Sequence, residues 1–443
     1  MFGFNGGSVP DSTEYSPNRR QILKYGAAAF GVTGLAGCSS DGSPDGGSGD
    51  DSDGDTIVFG EPTMETSQFG FIMAGTNQSI DLAIEEINES GGLLGSTVEV
   101  SRRETGSDPT EFREVFEQFV NNDGAVGIIR ATSAELTPNL EFVAERETPL
   151  ITNGAGTTAL DDYGGDSGTP EDMSDDEWVW RTIASDSVST AGGAKYMYEQ
   201  GNERMAILAG NSQGERSWAN SFEAAYENLG GEIVSRLEVQ NGKNSYQSEL
   251  SRLFEADFDA WGLSLKRDDA TTLVREWNNA GYGGQMIAES GIRSDEFVDA
   301  VGEQAEGALI AFTATSGPNY GEFEEKYREF GDAELHQWAL AGYDAMTVAA
   351  LAAQQGGDAS PEAIQQNLAS VSKPPGTAVS SFPEGKEALE NDEEINYEGV
   401  LTPTDFTDDG NVVGDVRVAQ LTPDGFEDEA LVSADEIRDL FTS

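Results

Sequence analysis

The residues best placed to do chemistry are hydroxyls and backbone amides on two loops. Ala131-Thr132-Ser133 follows the apolar run Ala125 to Ile129 and opens a stretch of helical periodicity. Its hydroxyls and amides therefore stand at a helix start, where an anion is favoured. Asn153-Gly154-Ala155-Gly156-Thr157-Thr158 follows the next short apolar run, and its nearly bare backbone lets a ligand come close. Each loop also has a plainer reading, in which Thr132 and Ser133 merely cap the helix and the glycines only turn the chain. Covalent catalysis has little to work with. The chain holds one histidine, His336, and one cysteine, Cys38, and shows neither a P-loop nor a nucleophile elbow. A zinc site needs more His and Cys than this, and paired carboxylates indicate nothing in a chain with 81 acidic residues. The inventory points to a binding protein without cofactor or metal, with His336 structural. A glycosidase held at the cell surface is the enzymatic alternative.

Cys38 has a different use. Residues 19–38 read RRQILKYGAAAFGVTGLAGC: paired arginines, an apolar run too short to span a bilayer, then small residues. A charged start, a brief apolar core and a small-residue cleavage site make a secretory signal, and Arg19-Arg20 make it of the twin-arginine type. Leu35-Ala36-Gly37-Cys38 resembles a lipobox, which implies that Cys38 becomes the lipidated first residue of the mature protein. A buried core helix and an uncleaved anchor are the other readings. Residues 39–55 are almost entirely Gly, Ser and Asp, so they cannot bury surface to offset chain entropy, and read as a tether holding a domain off the membrane. The expected location is the extracellular face of the cell membrane.

The charge balance is extreme, 81 acidic against 25 basic residues for a formal −56, and only seven of the basic residues are Lys. Acid spread along the whole chain suggests a hydrated carboxylate surface suited to very high salt, where the Debye length falls to about 3 Å. It argues against nucleic acid, since no basic stripe exists to meet a polyphosphate. A lone cysteine permits no internal disulfide, so the cores must carry stability.

These loops need strands and helices to hold them. Strand-length apolar runs at Thr56 to Phe59, Thr97 to Ser101, Ala125 to Ile129 and Pro149 to Thr152 alternate with helices. One such helix places Ile80, Ile84 and Ile87 on one face; another is capped by Asp108-Pro109 and carries Phe112, Val115, Phe116, Phe119 and Val120; a third runs from Ala134 to Arg146. Alternation resumes after residue 186, with strands at Met205 to Leu208, Glu232 to Leu237, Ala260 to Leu265, Gln285 to Ala288 and Gly307 to Phe312. Such order predicts an α/β fold of two doubly wound parallel-sheet lobes joined by a hinge. The expected division is signal 1–38, tether 39–55, first lobe 56–185 with 313–375, and second lobe 186–312 with 376–443. The segment 161–176, rich in Asp and Gly, reads as a solvated loop, and the tail returns to strands, clearest at Asp415 to Leu421.

In this frame the chain resembles the extracellular solute-binding proteins of the branched-chain amino-acid type, the type I periplasmic binding proteins that feed ABC importers. The resemblance runs from Ile57 to about Leu421 and rests on ordered pieces: Leu82 to Gly95, Val126 to Ser133, Pro149 to Ala155, Trp180-Arg181-Thr182 leading to Asp186, Gln213-Gly214-Glu215, Ala305-Glu306-Gly307, and Tyr397-Glu398-Gly399 to Gly410. It implies two lobes closing over a small solute, most often an amino acid, with permease subunits as partners. It also implies that the loops at Ala131-Thr132-Ser133 and Ala155-Gly156-Thr157 hold the solute's carboxylate, that Gln213 replaces the family's second-lobe tyrosine, and that Phe69 forms an aromatic wall. The acidic residue expected to meet an ammonium falls on Ser290 or its neighbour Glu289. Lys266-Arg267 stands where a tyrosine is usual and suits an acidic solute or a solvated surface. A receptor for a membrane signalling protein would share this fold and pocket; binders of amides, urea or small carboxylates are further alternatives.

Overall fold

The computed structural model describes residues 56–67, 70–161, 163, 177–407 and 409–442. The signal, the tether, Cys38, Phe69 and most of the loop 161–176 lie outside the described residues.

The first sheet is built from β1 (Thr56–Thr63), β2 (Thr97–Glu104), β3 (Ile128–Ile129), β4 (Leu150–Thr152) and β5 (Val179–Arg181), all parallel, in the order β2-β1-β3-β4-β5. The second begins with β6 (Arg204–Gly210), β7 (Glu232–Val239), β8 (Ala260–Ser264), β9 (Gln285–Ala288) and β10 (Leu309–Thr313), parallel in the order β10-β9-β8-β6-β7. A small parallel pair, β11 (Thr377–Val379) and β12 (Ile395–Tyr397), stands apart. An antiparallel hairpin, β13 (Val416–Thr422) and β14 (Gly425–Val432), extends the second sheet beyond β10. In each sheet the winding reverses, between β1 and β3 in the first and between β6 and β8 in the second. Such reversals open a crevice at the carboxyl ends of the strands, where α/β sheets bind ligands.

The helices follow from their apolar spacing. Ile80 and Ile87 are fully buried on the helix Met73–Glu89, and Asp108 caps the next helix by accepting from Thr110 N at 2.8 Å with Pro109 in its first turn. The helix Gln337–Gly356 is buried along most of its length and lies in the first lobe's core beside Ile80, Ile87, Ile129 and Ile151. The expected single helix Ala134 to Arg146 is broken into Ser133–Leu136, a 3-10 turn Thr137–Asn139 and Leu140–Ala144. Pro138 causes this, because it has no N–H to continue the ladder.

The boundary expected at residue 376 is also displaced. Val379, Phe382, Ala388, Ile395, Tyr397, Leu401, Phe406 and Val412 pack into the first lobe's core, and only β13 onward joins the second. Buried Asp344 explains the capture: it accepts from Tyr397 Oη at 2.7 Å, Val400 N at 2.8 Å and Leu401 N at 3.1 Å, tying this segment to the helix Gln337–Gly356. Three stretches join the lobes: 182–185, 314–319 and 401–415. The last two are bonded together through Ser316 N to Leu401 O at 2.8 Å and Ala314 N to Asp415 O at 2.7 Å.

Candidate functional site

Ala131-Thr132-Ser133 leaves the end of β3, at the reversal of the first sheet. Behind it lies a buried ion network in which Glu61 pairs with Arg130 and, at 2.6 Å, with Arg102. Arg130 takes a left-handed backbone conformation, φ 85°, which L side chains adopt only when their surroundings hold them there. Ala131 is fully buried and its carbonyl accepts from Thr152 Oγ1 at 2.6 Å. Thr132 is the helix cap. Its hydroxyl accepts from Glu135 N at 3.3 Å and meets Ser107 Oγ at 2.7 Å, while Glu135 accepts its amide at 2.7 Å. Those polar groups are thus consumed within the fold. Ser133 does something else: its Oγ accepts Thr157 N at 3.2 Å and joins the two loops.

The second loop follows β4. Ala155 is fully buried, and Gly156 offers its carbonyl to Asp186 N at 2.7 Å. A Cβ at Gly156 would fall on the Asp186 carboxylate, so only glycine fits there. Thr157, Thr158 and Ala159 form one wall of a cleft of about 440 Å³; Gln213, Arg216, Ser217 and Asn220 form the other. Thr158 and Ser217 meet across it at 2.9 Å, hydroxyl to hydroxyl.

The second lobe contributes acid. Glu215, in the first turn of the helix Gln213–Asn228, is buried and fully engaged, accepting from Ser212 N at 2.8 Å, Asn241 Nδ2 at 2.7 Å and Lys266 N at 3.0 Å. Glu289 follows β9 and is only partly exposed; Ser264 Oγ donates to its Oε2 at 2.7 Å. Burial, with the negative fields of Glu215 and Asp186, pushes the Glu289 carboxyl up to about 8 against the Ser264 hydrogen bond. Burial likewise pushes Asp186 up to about 7, with Asp161 adding to the rise and Arg181 opposing it. Among the described residues no cation pairs with Glu289. Ser290 opens a 3-10 turn, and its carbonyl accepts from Arg293 N at 3.0 Å.

Lys266 and Arg267 are exposed, and Arg267 is held by Glu296 at 3.1 Å, so the solvated alternative describes this pair. Asp186 and Arg181, which the sequence marks only by family likeness, stand against the second loop; no local spacing foretells that. His336 caps the helix Gln337–Gly356 by accepting from Ala339 N at 3.1 Å, and burial pushes its pKa down to about 4. Among the described residues no group of His, Cys, Asp and Glu is arranged to hold a metal ion, and no helix is long and apolar enough to cross a membrane.

A family model described as periplasmic binding protein matches residues 56–426. The chain is 24% identical over 381 residues to a chemotactic signal transduction system substrate-binding protein of Halobacterium salinarum, BasB, covering 84% of this chain and 88% of that one. It is 22% identical over 295 residues to a leucine-, isoleucine-, valine-, threonine- and alanine-binding protein of Pseudomonas aeruginosa, covering 65% and 75%. Among solved structures it is similar to the leucine-binding protein LivK of Thermotoga maritima, with a TM-score of 0.67, 20% identity, and coverage of 86% of this chain and 99% of that one. It is also similar to LivJ of Streptococcus pneumoniae in complex with isoleucine, with a TM-score of 0.66, 21% identity and coverage of 86% and 99%.

Proposed function

Because the chain belongs to the periplasmic binding protein family, we propose that it captures a small zwitterionic solute, most simply an aliphatic amino acid, and hands it to an ABC import permease. The observation that carries this reading is the carboxyl of Glu289. It lies within the field of Asp186 with no cation pairing with it among the described residues, and the Asp186 carboxylate stands against Gly156 in the loop of hydroxyls and amides. An ammonium would complete the acidic side, and a carboxylate suits Ser133 and the backbone of Gly156 to Thr158. Phe69 is proposed as a wall, and Gln213 and Ser290 as polar contacts from the second lobe. Closure follows if the solute binds both lobes better when they are shut.

The domain stands at the outer face of the membrane on a lipid at Cys38, separated from it by the Gly/Ser/Asp tether, with a surface adapted to high salt. A second reading is favoured by the BasB likeness: the bound protein engages a membrane signalling partner instead of a permease. A thermal-shift screen in molar potassium chloride tests the ligand class, since a tight ligand stabilises by RT ln(1 + [L]/Kd). Amino acids should raise the midpoint. A rise with benzoate or simple carboxylates alone would overturn the zwitterion. Capture of the protein by permease subunits or by a transducer separates import from signalling.

A further inference from the structure

Arg181 ends β5 and is 1% exposed. Its Nη1 donates to Thr157 O at 2.9 Å and to Ala155 O at 3.4 Å, and its Nη2 pairs with Asp161. Irregular backbone needs partners for its carbonyls, and the planar guanidinium serves three acceptors at once. In a trans peptide the N–H of the next residue points opposite to the carbonyl. Carbonyls of Ala155 and Thr157 turned inward to Arg181 therefore turn the N–H groups of Gly156 and Thr158 outward, on the loop whose Thr157 to Ala159 lines the cleft.

The same arginine reaches the joints between lobes. Asp161 also accepts from Ser185 Oγ at 2.6 Å, at the first crossing. Asn411 on the third crossing donates to Leu160 O at 3.1 Å and Asp161 O at 3.2 Å, and Arg181 N donates to Gly410 O at 3.0 Å. A purely structural filler would be better served by an apolar residue, because desolvating a guanidinium is costly.

We propose that Arg181 is the positioning residue of the solute site: it aims the amides of the 155–158 loop at the cleft and, through Asp161, ties that loop to two of the three crossings. The affinity part rests on the proposed solute-binding function; the loop-setting part does not. Arg181→Lys keeps the charge and loses the fork, and Asp161→Asn keeps an acceptor and loses the charge. Both variants are compared with the full chain by hydrogen exchange without solute, and by calorimetry and stopped-flow with L-isoleucine as probe. Exchange of the bonded amides that hold the loop, Thr157 N on Ser133 Oγ and Asp186 N on Gly156 O, should quicken, and L-isoleucine should bind about tenfold or more weakly through a faster off-rate, as loss of a charge-assisted hydrogen bond implies. A lowered thermal midpoint with unchanged Kd would make Arg181 merely structural and overturn the proposal, as would unaltered exchange in both variants. If the wild-type protein does not bind L-isoleucine, the choice of solute fails, and the exchange measurement alone decides the role of Arg181.

Discussion

Binding of an ammonium at Glu289 should be linked to pH. The carboxyl's folded value, about 8, lies well above the ordinary 4.5. Between those two values the folded, unliganded protein keeps a proton that the unfolded chain has released, so this group's contribution to stability falls as pH rises through that window. An arriving ammonium reverses the preference and expels the proton. Each pH unit below 8 then costs binding up to about 1.4 kcal/mol, so affinity should rise by about 10- to 100-fold from pH 6 to 8 and flatten above. Asp186, at about 7, pushes in the same direction. Calorimetry at pH 6, 7 and 8, in buffers of different ionisation enthalpy, measures both the affinity and the protons released. Unliganded midpoints should fall from pH 6 to 8, while midpoints at saturating solute stay nearly level. Glu289→Gln should remove most of the pH dependence and weaken binding by about 10- to 100-fold at pH 8, the loss of a charged hydrogen bond being roughly 1.5–3 kcal/mol. Flat affinity with no proton release would refute a cation at Glu289.

Three other outcomes are expected. Thr132→Ala should lower stability by about 1 kcal/mol as a lost cap, with little effect on Kd, whereas Ser133→Ala and Thr157→Ala should weaken solute binding with little change in the unliganded midpoint; the reverse pattern in calorimetry and melting curves would exchange the roles of the two neighbours. Lowering potassium chloride from molar to about 0.1 M lengthens the Debye length from roughly 3 to 10 Å, so the midpoint should fall; an indifferent midpoint counts against salt adaptation. Cys38→Ser should move the folded protein from the membrane fraction to the medium, and a variant retained in membranes at unchanged mass would rule out lipidation there.

Much of the fold was legible because burial imposes period. The strands at Thr56, Gln285 and Val416 and the helix Met73–Glu89 that carries Ile80 and Ile87 stand close to where apolar spacing puts them. What escaped was short or decided from afar. β5, β11 and β12 have three residues each, too few to show alternation. The lobe assignment of 376–412 turned on one buried carboxylate, Asp344, which no local pattern reveals. At the site, the loops were visible as hydroxyls and glycines after strands, but the division of labour between Thr132 and Ser133 depends on Glu135 and on Thr157 across a loop. Asp186 and Arg181 look like ordinary charged residues until the fold encloses them.

The late helix Gln337–Gly356 has a consequence for how the polypeptide comes to be assembled. β6 to β10 and their helices occupy an unbroken stretch of chain, so the heart of the second lobe can condense from neighbours in sequence. Ile80, Ile129 and Ile151 must wait for partners that leave the ribosome some two hundred residues later, and for the segment to Val412 behind them. Contacts so distant in sequence form slowly, leaving the early segment's apolar faces uncovered meanwhile. The half of the molecule made first should thus be the half completed last, and truncation before residue 337 should leave it only the core around Phe116, Phe142 and Leu150, with Ile80, Ile129 and Ile151 uncovered.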